Sequence, residues 1–377
     1  MMWIDSTMSA LTNDLAASGV GEYLPTRLSM LGAELFGNYF LRAALRIGAM
    51  ETTQNREAIR SERGKVLRDE AVARGYGFES LALFGKNVDI FRVTIQGKTF
   101  FVQGVPKPVP QEWDYWLDDK AIVKEKLIAH EVPVSRGARV RTWSEAVRLF
   151  ETLDKPLIVK PRLGSRGRHT TTSVKTLSDF RTGFERAKQL CYWVIIEEHL
   201  VGSVYRATFV DGVLEGVLAG EPPRVRGDGT STISELVMTK NNVRNSHVSE
   251  IILDPVHEEF LARNGLSLNS VPNLDKSVDL LEKIGVSYGG NSIEVTDITN
   301  EDIKRELKRA SDVLSDPLIG LDFIIPDISA SPYTQKWGII ECNGCPFINL
   351  HHDPVEGTPR NVAAKVWDYV ERNLDKF

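Results

Sequence analysis

Leu318-Ile319-Gly320-Leu321-Asp322-Phe323-Ile324-Ile325 and, further on, Trp337-Gly338-Ile339-Ile340-Glu341-Cys342-Asn343 are two apolar runs of strand length, and each carries a carboxylate. Side chains alternate along a strand, so Glu341 and Asn343 share a face, about 6.5–7 Å apart along the backbone, while Cys342 turns the other way into the core. An unpaired carboxylate inside such a run costs several kcal/mol. Two readings meet that cost. Asp322, Glu341 and Asn343 offer the hard oxygen donors that Mg²⁺ takes in octahedral geometry, with phosphates completing the shell. In the other reading the acids pair with Arg or Lys at the core edge.

Upstream, Pro156-Leu157-Ile158-Val159-Lys160-Pro161 is a buried strand ending on a lysine, and Lys160 to His169 packs four cations and two glycines into ten residues. Glycines let backbone N–H groups approach phosphate oxygens, and Lys and Arg supply charge. It is not the P-loop pattern, which needs Gly-Lys-Ser/Thr opening a helix; alone it reads equally as a solvated hairpin tip. Trp193-Val194-Ile195-Ile196-Glu197-Glu198-His199-Leu200 is a strand ending in two carboxylates. The runs Tyr205 to Val210 and Val213 to Ala219 flank Asp211-Gly212, a strong hairpin signal. Asp119 to His130, Trp143 to Leu153 and Glu301 to Leu314 read as helices, and Val132 to Ser135 as a turn into a strand. Cys342-Asn343-Gly344-Cys345, with His351-His352 nearby, has zinc or redox spacing. Strand alternation puts Cys342 in the core, and no second Cys-x-x-Cys half exists, so both readings are disfavoured.

The first hundred residues differ. Leu28 to Ile47 carries apolar residues at helical spacing, Thr52 to Arg74 continues as a charged helical stretch, and Ser80 to Phe84, Val88 to Ile95 and Thr99 to Val102 follow as short strands. The cluster Val105-Pro106-Lys107-Pro108-Val109-Pro110 then stops regular structure, which places a domain boundary near residue 112. The expected organisation is a small α/β N-terminal domain, 1–112, without chemistry of its own, and a second unit, 113–377. That unit divides into a central and lid part, 113–190, and a C-terminal part, 191–377.

Composition sets outer limits. The 377 residues are 42% hydrophobic and 26% charged, with 46 basic and 51 acidic side chains, a net charge of −5. Disorder, collagen and disulfide scaffolds are excluded. A weakly acidic chain has no general electrostatic grip on nucleic acid, so an anionic ligand needs a local basic site. Three cysteines, no basic n-region in Met1 to Gly19 and no run near the roughly 18 apolar residues of a membrane span point to a cytoplasmic protein without nucleic-acid or membrane partners.

In order along the chain, Asp119-Lys120, Val159-Lys160-Pro161 with its glycine loop, Val194 to Gly202, and Asp322 with Glu341-x-Asn343 resemble an ATP-grasp ligase. Within that superfamily the chain resembles the ATP-grasp module of cyanophycin synthetases. That likeness rests on Arg226-Gly227-Asp228-Gly229-Thr230 onward to Val237, on Ser287-Tyr288-Gly289-Gly290-Asn291 onward to Asp297, and on His351-His352-Asp353-Pro354-Val355 onward to Ala363. It covers about residues 116–372. The resemblance implies an α/β (α+β) ATP-grasp fold in which two α/β subdomains clamp ATP. It implies that Lys120 and Lys160 contact the nucleotide phosphates, that Gly164, Ser165, Arg166 and Gly167 belong to a loop closing over them, and that Glu197, Glu198 and Leu200 line the adenine slot. Asp322, Glu341 and Asn343 would hold two Mg²⁺ ions, Mn²⁺ being the alternative, and Arg206 and Arg309 would face the reacting groups. The implied partners are small amino acid or peptide substrates, and the implied assembly is a homo-oligomer. The implied activity is ATP-dependent joining of a carboxylate to an amine; a non-catalytic nucleotide-binding or peptide-binding module and an ATP-grasp kinase are the alternatives. Two positions depart from the family: Val204 replaces an acidic ribose contact, and Phe347 follows Pro346 where a small residue is usual.

Overall fold

The computed structural model describes residues 41–107, 115–162 and 169–377. Residues 41–46 are helical, and an antiparallel sheet follows from β1 (Met50–Thr53), β2 (Gly77–Leu83), β3 (Lys86–Ile95) and β4 (Lys98–Gln103), with α1 (Glu62–Ala73) between the first two strands. The stretch from Thr52 to Arg74 is thus not one helix. β-branched Thr52 and Thr53 pair with Leu81 and Ser80. The helix begins only after Ser61, whose Oγ accepts from the Gly64 N–H at 3.1 Å. The expected helix from Leu28 lies outside the described residues up to position 40, as do 108–114, where the domain boundary was expected.

α2 (Lys120–Ala129) leads into a second antiparallel sheet of β5 (Gly137–Val140), β6 (Leu157–Pro161), β7 (Thr171–Val174) and β8 (Val194–Glu198), in the order β5-β8-β6-β7. The strand expected after Val132 starts at Gly137; Val134 makes only an isolated bridge to Ile339. α3 (Trp143–Thr152) and α4 (Leu177–Lys188) cover this sheet through Trp143, Phe150, Phe180 and Phe184.

The third sheet is built from β9 (Ser203–Val210) and β10 (Val213–Gly220), whose turn puts Asp211 at φ +51° and Gly212 at φ +71°, as a two-residue primed turn requires. An excursion of β11 (Arg224–Arg226), α5 (Ile233–Val243), α6 (Pro255–Arg263) and β12 (Ser277–Asp279) forms its own small core. The chain returns through β13 (Ser292–Glu294), α7 (Glu301–Leu314), β14 (Leu318–Ile325) and β15 (Gly338–Asn343), then α8 (Asn349–His352) and α9 (Val362–Arg372). The strand order is β13-β10-β9-β14-β15.

Alternation decides what each face of this sheet does. Tyr205, Ala207, Phe209, Ile319, Leu321, Phe323 and Cys342, and Ile339 on the far side of a bulge in β15, turn into a core shared with Val123 and Leu127 of α2 and Ile303, Leu307 and Ala310 of α7. The opposite face carries Arg206, Thr208, Asp322, Glu341 and Asn343. At one end of that face Val210 and Leu318 join Phe78, Phe91, Val93 and Leu67 of the front unit in a core completed by Ile348 and by Val362, Val366 and Trp367 of α9. Trp367 is fully buried, and its indole N–H donates to the Leu67 carbonyl at 2.9 Å. Residues between 59 and 105 and between 348 and 370 therefore share one core, packed on the polar-bearing face of the third sheet.

Candidate active site

Three adjacent strands bring the charged residues into one row. Asp322 on β14 stands opposite Arg206 on β9 and opposite Glu341 on β15, while Asn343 stands opposite Gly320. Directly opposite residues have Cβ atoms about 4.5–5.5 Å apart, so this row is fixed by strand register. The Arg206 guanidinium meets Asp322 as a fork, Nε to Oδ1 at 2.6 Å and Nη2 to Oδ2 at 2.7 Å. Burial alone would lower the Arg206 pKa; the Asp322 charge outweighs it and raises it. The Asn343 amide donates to Asp322 Oδ2 at 3.3 Å, and Lys120 Nζ lies 3.2 Å from Glu341 Oε1. Both acids are thus paired with basic groups at the core edge, Asp322 with Arg206 and Glu341 with Lys120. Cys342, between Glu341 and Asn343, is buried in the opposite core, and among the described residues no three His, Cys, Asp or Glu side chains form a metal-holding group.

α2 ties this sheet to the second one. Lys120 and Lys124 are one helical turn apart, and Lys124 Nζ donates to Glu197 Oε1 at 2.8 Å while Lys160 Nζ reaches Glu197 Oε2, also at 2.8 Å. Glu197 is only 4% exposed. Burial alone would raise its pKa, but the two ammonium charges outweigh that and hold it down at about 2. Burial is likewise the main influence on Lys124, whose pKa is lowered despite its partner. The pairing of Glu197 with Lys160 follows from strand register: Lys160 pairs with Ile195 and Ile158 with Glu197 on β6 and β8. Lys124 was absent from the sequence-based candidates, although its i+4 spacing from Lys120 was a usable signal.

Asp119 fixes where α2 starts. Its Oδ1 accepts from the Ala121 and Ile122 N–H groups at 3.0 and 3.3 Å, and its carboxylate holds Arg162, just beyond β6, through Nε at 2.9–3.0 Å. Asp119→Asn keeps a good cap and loses the charge pair, whereas Asp119→Ala loses both. The expected costs are about 1 kcal/mol for Asn and about 2 kcal/mol for Ala, read as chemical-denaturation midpoints at constant slope. Equal costs for the two variants would show that the cap contributes nothing.

Glu198 points away from Glu197, as alternation demands, and binds Lys336 at 2.7 Å, Arg136 at 3.1 Å and the Asp154 N–H at 3.1 Å. Leu200 is buried beside them in sequence. Gly164, Ser165, Arg166 and Gly167 lie outside the described residues. Arg309 is not brought to the cluster: it donates to Glu306 Oε2 at 2.6 Å and to the carbonyl of His130, at the end of α2, at 2.9 Å. It lines a shallow groove with Val213, Leu214 and Lys308 instead.

Of the segments that carried the sequence likeness, one caps a helix of the excursion and the other two meet beside Thr208. Asp228 accepts from the Thr230 and Ser231 N–H groups, and Thr232 caps α5 in a reciprocal box with Glu235. Glu294 and His351, from two of those segments, meet at 2.7 Å, and the other ring nitrogen of His351 lies 2.9 Å from Thr208 Oγ1, two residues from Arg206.

No family model matches the chain. Cyanophycin synthetase of Trichormus variabilis is 31% identical over 262 residues, 68% of this chain and 29% of that protein. The glutathione biosynthesis bifunctional protein GshAB of Listeria monocytogenes is 30% identical over 265 residues, 67% of this chain and 34% of that protein. The chain thus spans about a third or less of the length of these relatives. Among solved structures, a bifunctional glutathione synthetase from Pasteurella multocida superposes with a TM-score of 0.61 at 23% identity, covering 82% of this chain and 43% of that one, which establishes the shared fold.

Proposed function

Since the chain belongs to the ATP-grasp superfamily, we propose that it is an ATP-dependent ligase that activates the carboxylate of an amino acid or peptide and joins it to an amine. The observation that carries this reading is the row Arg206–Asp322–Glu341 with Asn343, flanked by Lys120 and connected through α2 to Lys160. In this reading residues 113–377 are the ligase module, the second sheet belonging to its central and lid part and the third sheet to its C-terminal part.

A carboxylate resists attack by an amine until one oxygen becomes a leaving group. Its oxygen attacks the γ-phosphorus of ATP and ADP departs; the amine then attacks the acyl carbon, phosphate departs, and the nitrogen loses a proton. The protein's part is positioning and charge neutralisation. Lys160 and Lys120, each held by a carboxylate at about hydrogen-bond length, keep cationic N–H donors available to phosphate oxygens. Arg206, fixed by its fork to Asp322, presents its remaining N–H groups to the anionic acylphosphate. Asp322, Glu341 and Asn343 would hold two Mg²⁺ ions, Mn²⁺ being the alternative, because the set offers hard oxygen donors and two negative charges. The metal would supply charge neutralisation at the β- and γ-phosphates. Glu197, Glu198 and Leu200 would border the adenine, and Gly164 to Gly167 would close over the phosphates. Among the described residues no helix is long and apolar enough to cross a membrane. A cytoplasmic homo-oligomer is the accompanying proposal.

Purified protein incubated with Mg·ATP and pools of amino acids and short peptides is expected to release ADP together with a new amide, read by mass spectrometry. A phosphorylated product without amide would favour a kinase, and nucleotide binding without turnover a regulatory module. The Val204 side chain, in register with Gly220 and Ile324, offers no carboxylate to the ribose, so weak discrimination between ATP and its 2′-deoxy analogue is expected in the same assay.

A further inference from the structure

The front unit reaches the loop that follows the row of charged residues. Arg63 of α1 donates from Nη1 to the Cys345 carbonyl at 2.8 Å and lies 3.4 Å from the Pro346 carbonyl, so it grips the loop that follows Asn343. Its guanidinium also sits over the Phe347 ring, 5.6 Å from the centroid. Arg206 lies over the same ring at 5.8 Å. Two cations therefore converge on an aromatic ring that is itself 51% exposed.

The two arginines are not in the same state. Arg206 is neutralised by Asp322. Arg63 has carbonyl oxygens as its hydrogen-bond acceptors, no carboxylate in ion-pair contact among the described residues, and a buried Nε without a partner. A half-buried guanidinium with unused N–H groups matches a carboxylate, which takes two of them in parallel.

The fold holds this arrangement deliberately close. Gly104, at φ +73°, passes beneath it: a Cβ there would stand 2.7 Å from Cys345 Sγ and 3.0 Å from Arg63 Nη2. Lys107 pairs with Asp316, two residues before β14, at 2.7 Å. The core shared by α1, the front sheet and α9 lies on the face of the third sheet that carries Arg206 and Asp322.

We propose that Arg63 is a specificity-determining residue contributed by the front unit, and that, with the Phe347 ring between it and Arg206, it binds a second carboxylate of the amino acid or peptide substrate, the one that is not activated. This rests on the ligase reading for the identity of the site and gives the first hundred residues a part in it. The pocket then selects acidic amino acids or acidic peptides over their amides, because only the carboxylate offers two acceptor oxygens and a charge to the Arg63 fork.

The test is calorimetric binding to the full chain in Mg·ADP, using dipeptides in matched Asp/Asn and Glu/Gln pairs. Wild type is expected to bind the acidic members about tenfold tighter than the amides. Arg63→Gln should reduce that preference to within about twofold, and Arg63→Lys should retain part of it. The melting temperature identifies a folded variant, and Arg63→Met, which keeps the packing of the stem, replaces Arg63→Gln if that one does not fold. Equal binding of acids and amides by wild type, or a preference that survives in Arg63→Gln, overturns the proposal. The same samples given ATP keep the two readings apart. Absence of amide from every dipeptide sinks the ligase, while an acid preference that depends on Arg63 still supports the site.

Discussion

Asp322→Asn is expected to lower amide formation by about 10³-fold or more while leaving the chain folded, measured as ADP and amide produced per enzyme at saturating ATP. Two losses coincide at this position. The variant removes a full negative charge from the group that would hold metal, and Mg²⁺, which dehydrates reluctantly, discriminates against a neutral ligand. It also releases Arg206, whose Nε and Nη2 both donate to Asp322, leaving a mostly buried guanidinium with one neutral acceptor. The Asn side chain keeps nearly the same volume and one acceptor oxygen, so β14 keeps its pairing with β9 and β15 and the chain stays folded, with a melting temperature lowered by the stranded Arg206 charge. The two losses separate experimentally. If the metal is the reason, raising Mg²⁺ or substituting Mn²⁺ recovers part of the rate. If Arg206 is the reason, metal concentration is without effect and the deficit appears in the affinity for the carboxylate substrate. Activity within tenfold of wild type would remove Asp322 from the site.

Much of this site was legible because it lies on strands. Alternation alone puts Glu341 and Asn343 on one face with Cys342 behind them, and the register of Asp322 between Arg206 and Glu341 completes what the two apolar runs announced. Of the two sequence readings of the acids, metal ligands or ion pairs, the second is what the side chains do here, Asp322 with Arg206 and Glu341 with Lys120, and the first is the proposed one. Arg309 could have been placed better. Ile303, Leu307, Ala310 and Leu314 define the buried stripe of α7, and Arg309 falls off that stripe, beside Glu306 and the end of α2. Contacts between distant parts of the chain were beyond local patterning. Nothing in the spacing around Arg63 predicts that it grips the carbonyl of Cys345, 282 positions away, nor that Trp367 donates to Leu67 across 300. For the same reason the front unit read as a separate domain without chemistry, and Lys124 read as one more lysine on a helix.

Glu197→Gln is expected to destabilise the protein by about 3–5 kcal/mol, because it leaves two buried ammonium groups, Lys124 and Lys160, without a counter-charge. A glutamine offers one oxygen to one lysine and turns its NH₂ toward the other, a donor facing a donor. For a chain this long the loss corresponds to a melting temperature lower by roughly 4–6 °C. The pH dependence carries the signature. With the native carboxyl held at about 2, against 4.5 without the fold, the stabilisation by Glu197 is complete above pH 4.5 and disappears as the pH falls toward 2. The variant should lack that acid-side loss. It should gain stability instead as pH rises above neutrality, because the folded state binds fewer protons than the unfolded one once Lys124, already lowered by burial, deprotonates early. Adding Lys124→Met to Glu197→Gln removes one of the two stranded charges and should recover at least half of the lost stability, whereas Lys124→Met alone should cost less than Glu197→Gln. Melting curves of the three variants between pH 3 and pH 9 decide the matter: a Glu197→Gln protein as stable as wild type at pH 7, or one whose stability does not rise with pH, would mean that these lysines find other partners and that Glu197 is not what holds Lys160 in place.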